Sequence, residues 1–349
     1  PDDAPMEAVM MEMFWEVGPR AVYASLAGND WPIDVIVVDP DDRGARLWGE
    51  VNDVPWVNVM NYIQHGTLFG LIYPHDIEKR AGIDDRGSRA REERFRAELG
   101  LPPIPVLPGE LMTDRFLRLD MAPTGIVPWE PELRVATAHP MQPIPHAADT
   151  PSPWLDRLDP DKATVHVAFG SLFSHSSTAF PAVIEALSDE TIQLVVSAPD
   201  GVDVGDPPAD AIVEPWVNQG ELLPRCDVFV HHGGWGSTIA GLWHAVPSLV
   251  IPHGADQPNN ARVIAACGAG QWLEYEDLAA EDVRRATNEL ITEPVYGLNA
   301  QRIAGYITDM PTPADVVPLI EQVARTHEPV LSPPAIALEA RMTANEPPE

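Results

Sequence analysis

Residues 216–261 of the chain, WVNQGELLPRCDVFVHHGGWGSTIAGLWHAVPSLVIPHGADQPNNA, contain two consecutive β-α units. The apolar run VFVH (228–231) is bounded by polar residues and glycines, which predicts a short buried strand, and PSLVIP (247–252) predicts the next one. The first strand is followed by a helix over TIAGLWHA. The second is followed by a helix over PNNARVIAACG, which Pro258 opens and Gly268 ends. Strands that alternate with helices in this way are typical of a parallel sheet.

A turn of glycines and polar residues joins the first of these strands to its helix. It contains His232, Gly233, Gly234 and Gly236, and Ser237 is the predicted N-cap. Glycines let a ligand approach the backbone, and the free N–H groups and positive dipole end of a helix favour an anion. With the His232 imidazole and the Ser237 hydroxyl as further donors, the turn suits a diphosphate. Ordinary strand-to-helix corners also contain such glycines, so the turn alone does not identify a site.

The loops after neighbouring strands carry residue types suited to a base and a sugar. Asp256 and Gln257 follow PSLVIP, and a carboxylate beside an amide suits the hydroxyls of a sugar. Trp216 and Gln219 follow another predicted strand, DAIVEP, and offer a ring for stacking and polar groups for the edge of a base. Parallel sheets bind ligands at the carboxyl ends of their strands, so we expect these loops to converge on one cleft.

The spacing of these residues matches that of a known family. The pattern W-x-x-Q, then LL, F-x-H-H-G-G-x-G-S and P-x-x-x-D-Q-x-x-N-A resembles the donor-binding signature of nucleotide-sugar-dependent glycosyltransferases related to the UDP-glucuronosyl/glucosyltransferases. It is most similar to the bacterial antibiotic, sterol and glycolipid glycosyltransferases. The resemblance implies that Trp216 stacks on a pyrimidine, that His232 and Ser237 hold the diphosphate, and that Asp256 and Gln257 hold sugar hydroxyls. It also implies that the reaction needs no metal or cofactor.

Two positions depart from the family pattern. Many members have Asn before the serine and Glu three residues after it, where this chain has Gly236 and Ala240. In the family that Glu takes the ribose hydroxyls. Members that use deoxythymidine diphosphate (dTDP) sugars often lack it, which is reasonable because 2-deoxyribose has one hydroxyl fewer. The resemblance therefore implies a UDP- or dTDP-sugar donor and leaves the nucleotide open.

The second half of the chain has a regular pattern of strands and helices. VHVAFGS, IQLVVSA, DAIVEP, DVFVHH, PSLVIP and GQWLE predict about six parallel strands in a doubly wound sheet, and PADVVPLIEQVARTH predicts the final helix. Gly170 and Ser171 follow the first of these strands. They resemble the family's Gly-Ser turn under the donor diphosphate, although a bare turn has the same residues.

The predicted fold class is α/β, of the GT-B type that the resemblance implies. Such a fold has two Rossmann-like, doubly wound parallel-sheet domains that face each other across a cleft, and here the N-terminal domain is expected to be incomplete. We assign residues 1–140 to this partial acceptor-binding domain, 141–162 to a proline-rich linker, 163–328 to the donor-binding domain and 329–349 to a flexible tail.

The first half of the chain carries weaker signals. WPIDVIVVDP, VPWVNVM and RVATAH predict strands, and helices are predicted over residues 5–26 and 89–99. The segment MNYIQHGTLFGLIYP (60–74) mixes aromatic and polar residues as an acceptor-lining loop does, although ordinary packing gives the same mixture. Asp39 and His65 are the ionisable groups of interest in this half.

Inverting sugar transfer needs a general base for the acceptor hydroxyl. In the family this base is a histidine within a G-H pattern in the first strand-helix loop, and the sequence has no counterpart. The catalytic residue is therefore unknown, and we expect a copy truncated at its N-terminus whose general base lies upstream of Pro1. Such a chain would bind the donor but transfer sugar poorly or not at all.

Composition restricts the partners and the location. The net charge of −31 disfavours nucleic-acid backbones and anionic membrane surfaces, and the sequence has no transmembrane span. With Cys226 and Cys267 as the only cysteines and no signal peptide, we expect inert thiols and a cytoplasmic location. A metal site at His231, His232 and Asp256 is disfavoured, because His231 ends a strand and should point away from its neighbour. The oligomeric state stays open.

The function that follows is inverting transfer of a sugar from a UDP- or dTDP-sugar to a hydroxyl of a lipophilic natural product or lipid. The expected partners are the nucleotide-sugar donor and a lipophilic small-molecule acceptor. Helix N–H groups, His232 and Ser237 would stabilise the departing diphosphate. Two alternatives remain, namely a sugar-nucleotide epimerase of related fold and a catalytically inactive donor-binding fragment.

Overall fold

The computed structural model describes residues 12–39, 42–60, 85–103, 115–123, 136–143, 152–170, 178–254, 256–276 and 278–333. The chain forms two compact units. The first comprises Pro1–Met121, Glu130–Met141 and Pro311–Glu349, and the second comprises Ala122–Trp129 and Gln142–Met310. The α-helices are α1 (Gly18–Ala27), α2 (Arg43–Asn52), α3 (Asp85–Glu98), α4 (Ala179–Leu187), α5 (Gln219–Leu222), α6 (Trp235–Trp243), α7 (Gln257–Ala266), α8 (Ala280–Thr292), α9 (Pro294–Thr308) and α10 (Pro313–Thr326).

The first unit contains a four-stranded parallel sheet. Its strands are adjacent in chain order, as β1 (Ile36–Val38), β2 (Trp56–Met60), β3 (Leu117–Asp120) and β4 (Ala138–Pro140). The sequence predicts β1, β2 and β4 but not β3. The β3 segment LRLD contains two charged residues, and the structure shows how a strand tolerates them. The Arg118 side chain is buried, and its Nε donates to Asp120 Oδ1 at 2.6 Å.

Helix α10 completes the core of the first unit. Val316 and Val323, seven residues apart on one face of α10, are buried in the same cluster as Trp56, Leu117 and Leu119 of the sheet. This placement differs from the predicted donor-binding domain of residues 163–328, because the last helix belongs to the first unit. The reason is that its apolar face needs a partner, and the sheet of the first unit supplies it.

The segments predicted as tail and linker are partly structured. The backbone N–H groups of Val330 and Ser332 donate to the carbonyls of Phe116 and Ala136, both at 2.8 Å, so the start of the predicted tail pairs with the first unit. Trp154, in the 3₁₀ helix Pro153–Arg157, is buried in an apolar cluster of the second unit. Residues 334–349 of the tail and 144–151 of the linker lie outside the described residues.

The second unit contains the six parallel strands that the sequence predicts. They are β5 (Ala163–Ala168), β6 (Ile192–Ser197), β7 (Ile212–Glu214), β8 (Val228–His231), β9 (Ser248–Val250) and β10 (Gly270–Trp272). Their spatial order is β7-β6-β5-β8-β9-β10, and all adjacent pairs are parallel. This is the doubly wound, Rossmann-like order, which reverses direction between β5 and β8.

The strands of the second unit are apolar on both faces because helices cover both. Valines of β5 and β8 share one core cluster with buried residues of α4 and α8. On the other face, Phe229 clusters with Ala168, Leu223 and Val246. Within the described part of the chain, no helix is long and apolar enough to cross a lipid bilayer. Cys226 and Cys267 are free, and burial raises the pKa of both thiols.

Candidate functional site

The turns that follow β5 and β8 meet where the strand order reverses. Gly170, with a φ of 73°, approaches the His232 ring so closely that a Cβ on it would lie 2.7 Å from the ring Nε2. A Cβ on Gly234 would lie 2.5 Å from the same atom. The imidazole of His232 therefore occupies space that only glycine leaves free on either side. Ser171, the partner of Gly170 in the predicted turn, lies outside the described residues.

Helix α6 begins one turn earlier than the sequence predicts. Its N-cap is Gly234, and the first N–H bonded within the helix is that of Thr238, which donates to the Gly234 carbonyl at 2.9 Å. Ser237 was predicted as the N-cap, and this is wrong. It is a buried residue of the first helical turn, since Gly234 is the last residue with extended backbone. The backbone N–H groups of residues 235–237 are the donors that a helix start leaves for an anion.

Gly236 leaves this helix start open. The residue is exposed, and among the described residues no atom lies within 4 Å of a Cβ added there. Its glycine is therefore not required by packing, in contrast to Gly170 and Gly234. An open first turn with unbonded N–H groups is accessible to a phosphate group.

Three hydrogen bonds fix the backbone of the turn at Gly233. Its N–H donates to His231 Nδ1 at 3.0 Å. Its carbonyl accepts from Thr238 Oγ1 at 3.3 Å and from Asn260 Nδ2 at 2.8 Å. The φ of 89° at Gly233 and the proximity of the Gln257 carbonyl, 3.0 Å from an added Cβ, exclude a side chain there. The backbone of this turn is thus held in place by the protein's own hydrogen bonds.

The histidines of the site are neutral at pH 7. Burial lowers the pKa of His232 to about 4. The nearby His253 also lowers this pKa, whereas the hydrogen bond with the Ala168 backbone raises it. His231 is fully buried, and burial lowers its pKa well below the usual value. Because His231 Nδ1 accepts the Gly233 N–H, its own proton lies on Nε2. The His231 side chain therefore holds the backbone of the turn. The described residues include no group of three or more His, Cys, Asp or Glu that could hold a metal ion.

Asp256 and Gln257 lie next to this turn, where α7 begins. Asp256 Oδ2 accepts from Asn260 Nδ2 at 2.9 Å. Gln257 is buried, and its Oε1 accepts from the backbone N–H groups of His253 and Gly254 at 2.7 and 3.1 Å. Both lone pairs of that oxygen are thus used by its own loop, so only the amide NH₂ of Gln257 remains to contact a sugar.

Trp216 lies on the other side of β5, beyond the end of the edge strand β7. Its side chain is 70% exposed, whereas the adjacent Val217 is buried and anchors the loop. Gln219 is the first residue of α5, which Asn218 caps by accepting from the Gly220 N–H at 2.9 Å. The Trp216 indole therefore lies on a fixed loop and is accessible to solvent.

The strand order sets the distances between these positions. Adjacent strands lie about 4.8 Å apart, so the loop after β7 is roughly 10–14 Å from the turns after β5 and β8. Asp256 follows β9, on the opposite side of β8. The carboxyl edge of the sheet thus presents an aromatic ring, an anion site and a carboxylate in that order.

Three contributors to the site were not predicted from the sequence. Asn260 and Thr238 fix the Gly233 carbonyl, and the ring of His253 packs 5.1 Å from Phe169 and 4.3 Å from Tyr275. Asn260 lies four residues after Asp256, which places both on one helix face, and this spacing was the available signal. Thr238 acts through a local hydrogen bond five residues back, and His253 acts through contacts with residues distant in the sequence.

Few of the residues predicted to contact the acceptor lie in the described part of the first unit. Asp39 is exposed and directly follows β1, at the carboxyl end of the strand. His65 and most of the segment 60–74 lie outside the described residues, which include only Met60, a buried residue at the end of β2. An acceptor role for this segment stays a prediction.

Parts of the chain are similar to known proteins. The family model described as Erythromycin biosynthesis protein CIII-like, C-terminal domain, matches residues 182–323. The 4'-demethylrebeccamycin synthase of Lentzea aerocolonigenes is 26% identical over 84% of this chain and 74% of its own length. The chain is thus similar to bacterial antibiotic-type glycosyltransferases.

Two further comparisons define the extent of this similarity. The 10-deoxymethynolide desosaminyltransferase of Streptomyces venezuelae is 29% identical to this chain over 65% of its residues, and the match spans 53% of that relative's length. The crystal structure of glycosyltransferase VinC in complex with dTDP superposes with a TM-score of 0.69 at 21% identity, covering 91% of this chain and 78% of VinC. The fold is that of a GT-B glycosyltransferase, with two parallel-sheet α/β units.

Proposed function

We propose that the protein transfers a sugar from a dTDP- or UDP-sugar to a hydroxyl group of a natural product. The observation that carries the proposal is the order of binding groups along the sheet edge of the second unit. An exposed indole, an open helix start and a carboxylate follow one another along this edge. Parallel sheets bind nucleotides at the strand-order reversal, and that is where His232 and α6 lie.

Each residue of the donor site has a proposed role. The base stacks on the Trp216 indole, and Gln219 contacts its edge. The sugar hydroxyls contact the carboxylate of Asp256 and the amide NH₂ of Gln257. The diphosphate binds in the turns after β5 and β8, which comprise Gly170, Ser171, His232, Gly233, Gly234, Gly236 and Ser237.

The anion site works through neutral donors in a strongly acidic protein. The chain has a net charge of −31, and burial keeps His232 uncharged at pH 7, so attraction to the diphosphate comes from the N–H groups and dipole of α6. As the bond between the sugar and the diphosphate breaks, negative charge grows on the departing phosphate oxygen. Donors that are already fixed in place stabilise this charge without reorganising.

The reaction itself is a displacement at the anomeric carbon. The acceptor oxygen forms a bond to that carbon, the bond to the diphosphate oxygen breaks, and the hydroxyl proton passes to a base. We propose a single, inverting displacement with a lipophilic acceptor. The names of the two relatives, 4'-demethylrebeccamycin synthase and 10-deoxymethynolide desosaminyltransferase, support a natural product as acceptor. Of the described residues, Asp39 at the end of β1 is the first to test as the base.

The choice of nucleotide is proposed to depend on Ala240. It lies three residues after Ser237, on the same face of α6, and has no polar group for a ribose hydroxyl. We expect dTDP to bind at least as well as UDP, as it binds to VinC. Ala240→Glu should shift preference severalfold toward UDP, since a net hydrogen bond contributes about 0.5–1.5 kcal/mol. Calorimetric titration with both nucleotides measures the ratio, and a strong UDP preference in the unaltered protein contradicts this account.

The base-stacking role has a matched control. Trp216 and Trp31 are 70% and 76% exposed, but Trp31 lies in the first unit, before β1. Stacking contributes about 1–3 kcal/mol per base, so Trp216→Ala should weaken dTDP binding by roughly 5- to 150-fold, while Trp31→Ala leaves it unchanged. Equal losses in the two variants, or equal affinity for dTDP and ADP, would refute the proposed donor site.

A further inference from the structure

The side chain of Asn260 contacts two parts of the donor site at once. It is 1% exposed, and its Nδ2 donates to the Gly233 carbonyl at 2.8 Å and to Asp256 Oδ2 at 2.9 Å. Both amide hydrogens are therefore used. The Oδ1 atom is buried and has no hydrogen-bond partner among the described residues. The reversed amide would place that oxygen against a carbonyl and a carboxylate, so the observed orientation is the only favourable one.

We propose that Asn260 is a positioning residue that holds the carboxylate of Asp256 in register with the backbone of the diphosphate turn. The proposal rests on the donor site proposed above. It goes beyond that site because Asn260 itself contacts neither the sugar nor the diphosphate. It acts through Asp256 on one side and through Gly233 on the other.

One planar amide cannot satisfy both the Gly233 carbonyl and the Asp256 carboxylate unless these partners keep a fixed separation. A shift of the turn at Gly233 breaks one bond, and a rotation of the Asp256 carboxylate breaks the other. Hydrogen bonds to a charged group contribute about twice as much as neutral ones, so the carboxylate side is the stronger of the two. The Asp256 carboxylate and the turn at Gly233, which bind the sugar and the diphosphate in the proposed site, therefore cannot move independently of each other.

Thr238 provides a matched control for one half of this arrangement. Its Oγ1 donates to the same Gly233 carbonyl at 3.3 Å. Thr238→Val removes that bond at nearly constant volume and leaves the bond between Asn260 and Asp256 in place. A variant at Asn260 alone should therefore affect the sugar end of the ligand.

The experiment measures the affinity of dTDP and of dTDP-glucose by calorimetry and takes their ratio as the sugar contribution. Asn260→Leu, which keeps the side-chain size, should weaken dTDP severalfold and reduce the sugar contribution to about one. Thr238→Val should weaken dTDP by a similar or smaller factor and keep the sugar contribution. Asp256→Ala should abolish the contribution, and adding Asn260→Leu to it should lower the contribution no further.

A merely structural Asn260 would give a different result. If Asn260→Leu weakens both probes by the same factor, the proposal is wrong. Asn260→Ser, with a smaller polar side chain, serves the same test if thermal unfolding shows that the leucine variant does not fold. An unaltered protein that binds the two probes equally contradicts the sugar role of Asp256. An unaltered protein that binds neither probe overturns the proposed function itself.

Discussion

The two units of the protein hold their helices in place by different interactions. In the second unit, valines of the sheet pack against apolar residues of α4 and α8, and Phe229 lies in an apolar cluster on the other face. In the first unit, charged residues join the helices to one another. The guanidinium of Arg96, 2% exposed, forms a two-pronged pair with Glu50 in which both distances are 2.8 Å, so that α3 is tied to α2. Arg43 and Glu92 make a second such link at 3.0 Å.

Because of this difference, we expect the stability of the two units to depend on different conditions. Burial of valine is insensitive to pH and salt, whereas a buried ion pair depends on both partners being present. The second unit has its own sensitivity, because it buries several histidines in their neutral form. We therefore expect the first unit to lose stability when one member of a buried ion pair is removed. We expect the second unit to lose stability when its buried histidines are protonated.

The largest effect is expected from breaking the Arg96–Glu50 pair. Arg96→Met leaves the Glu50 carboxylate without its main partner, and loss of one member of a buried pair costs about 3–5 kcal/mol. The cooperative unfolding of the first unit should shift accordingly in urea titrations followed by circular dichroism. The double variant Arg96→Met/Glu50→Leu should recover much of the loss.

Arg285 provides the control for this prediction. It forms an exposed pair with Asp282 at 2.7 Å in the second unit, and exposed pairs contribute little. Arg285→Met should leave unfolding unchanged. If Arg285→Met lowers stability as much as Arg96→Met, burial of the ion pair does not explain the difference between the two units.

The second prediction is that the two units lose stability over different pH ranges. His166 is fully buried, and burial lowers its pKa from 6.5 to about 4, as for His232. Between these values the unfolded chain binds the proton and the folded unit does not, so the second unit loses stability as the pH falls from about 6.5 to about 4. Each such histidine contributes on the order of 3 kcal/mol across this range.

The first unit should respond at lower pH. Arg20 lowers the pKa of Glu98 from 4.5, so the stability from this pair is lost only as the pH falls below about 4.5. Unfolding measured from pH 7 to pH 4 should show the second unit weakening first. His166→Gln keeps a donor for the Val195 carbonyl, which His166 Nδ1 contacts at 2.9 Å, and should reduce the slope. An unchanged slope in that variant contradicts the assignment to buried histidine.

The smallest predicted effect tests the packing of the diphosphate turn. Gly234→Ala places a methyl group 2.5 Å from His232 Nε2 and should destabilise the second unit by about 1–3 kcal/mol. Gly236→Ala lies two residues away in open space and should be neutral or stabilise α6 by about 0.5–1 kcal/mol. Urea unfolding of both variants measures the difference, and equal values would show that His232 is free to move.

Features that depend on local pattern could be predicted from the sequence. The six strands of the second unit follow from apolar runs bounded by turn residues, and their carboxyl ends place His232 and Asp256 in adjacent loops. The start and end of α7 follow from Pro258 and Gly268, the latter with a φ of 69°. These signals lie within a few residues of the feature they predict.

Features that depend on distant partners could not be predicted. Strand β3 was missed because Arg118 looks too polar for a strand until its pairing with Asp120 is seen. The packing of helix α10 on the sheet of the first unit could not be predicted, because its apolar face does not specify which sheet it covers. The use of the Gln257 oxygen within its own loop was equally hidden, since an amide in a polar loop suits a ligand just as well.

The central claim is that the sheet edge of the second unit binds a nucleotide diphosphate across Trp216 and α6. A crystal structure of the protein with dTDP bound tests it most directly. The account predicts the thymine ring stacked on the Trp216 indole and phosphate oxygens within hydrogen-bond distance of the backbone N–H groups of Gly236 and Ser237. A nucleotide bound elsewhere, or bound with its diphosphate away from the start of α6, would contradict the account.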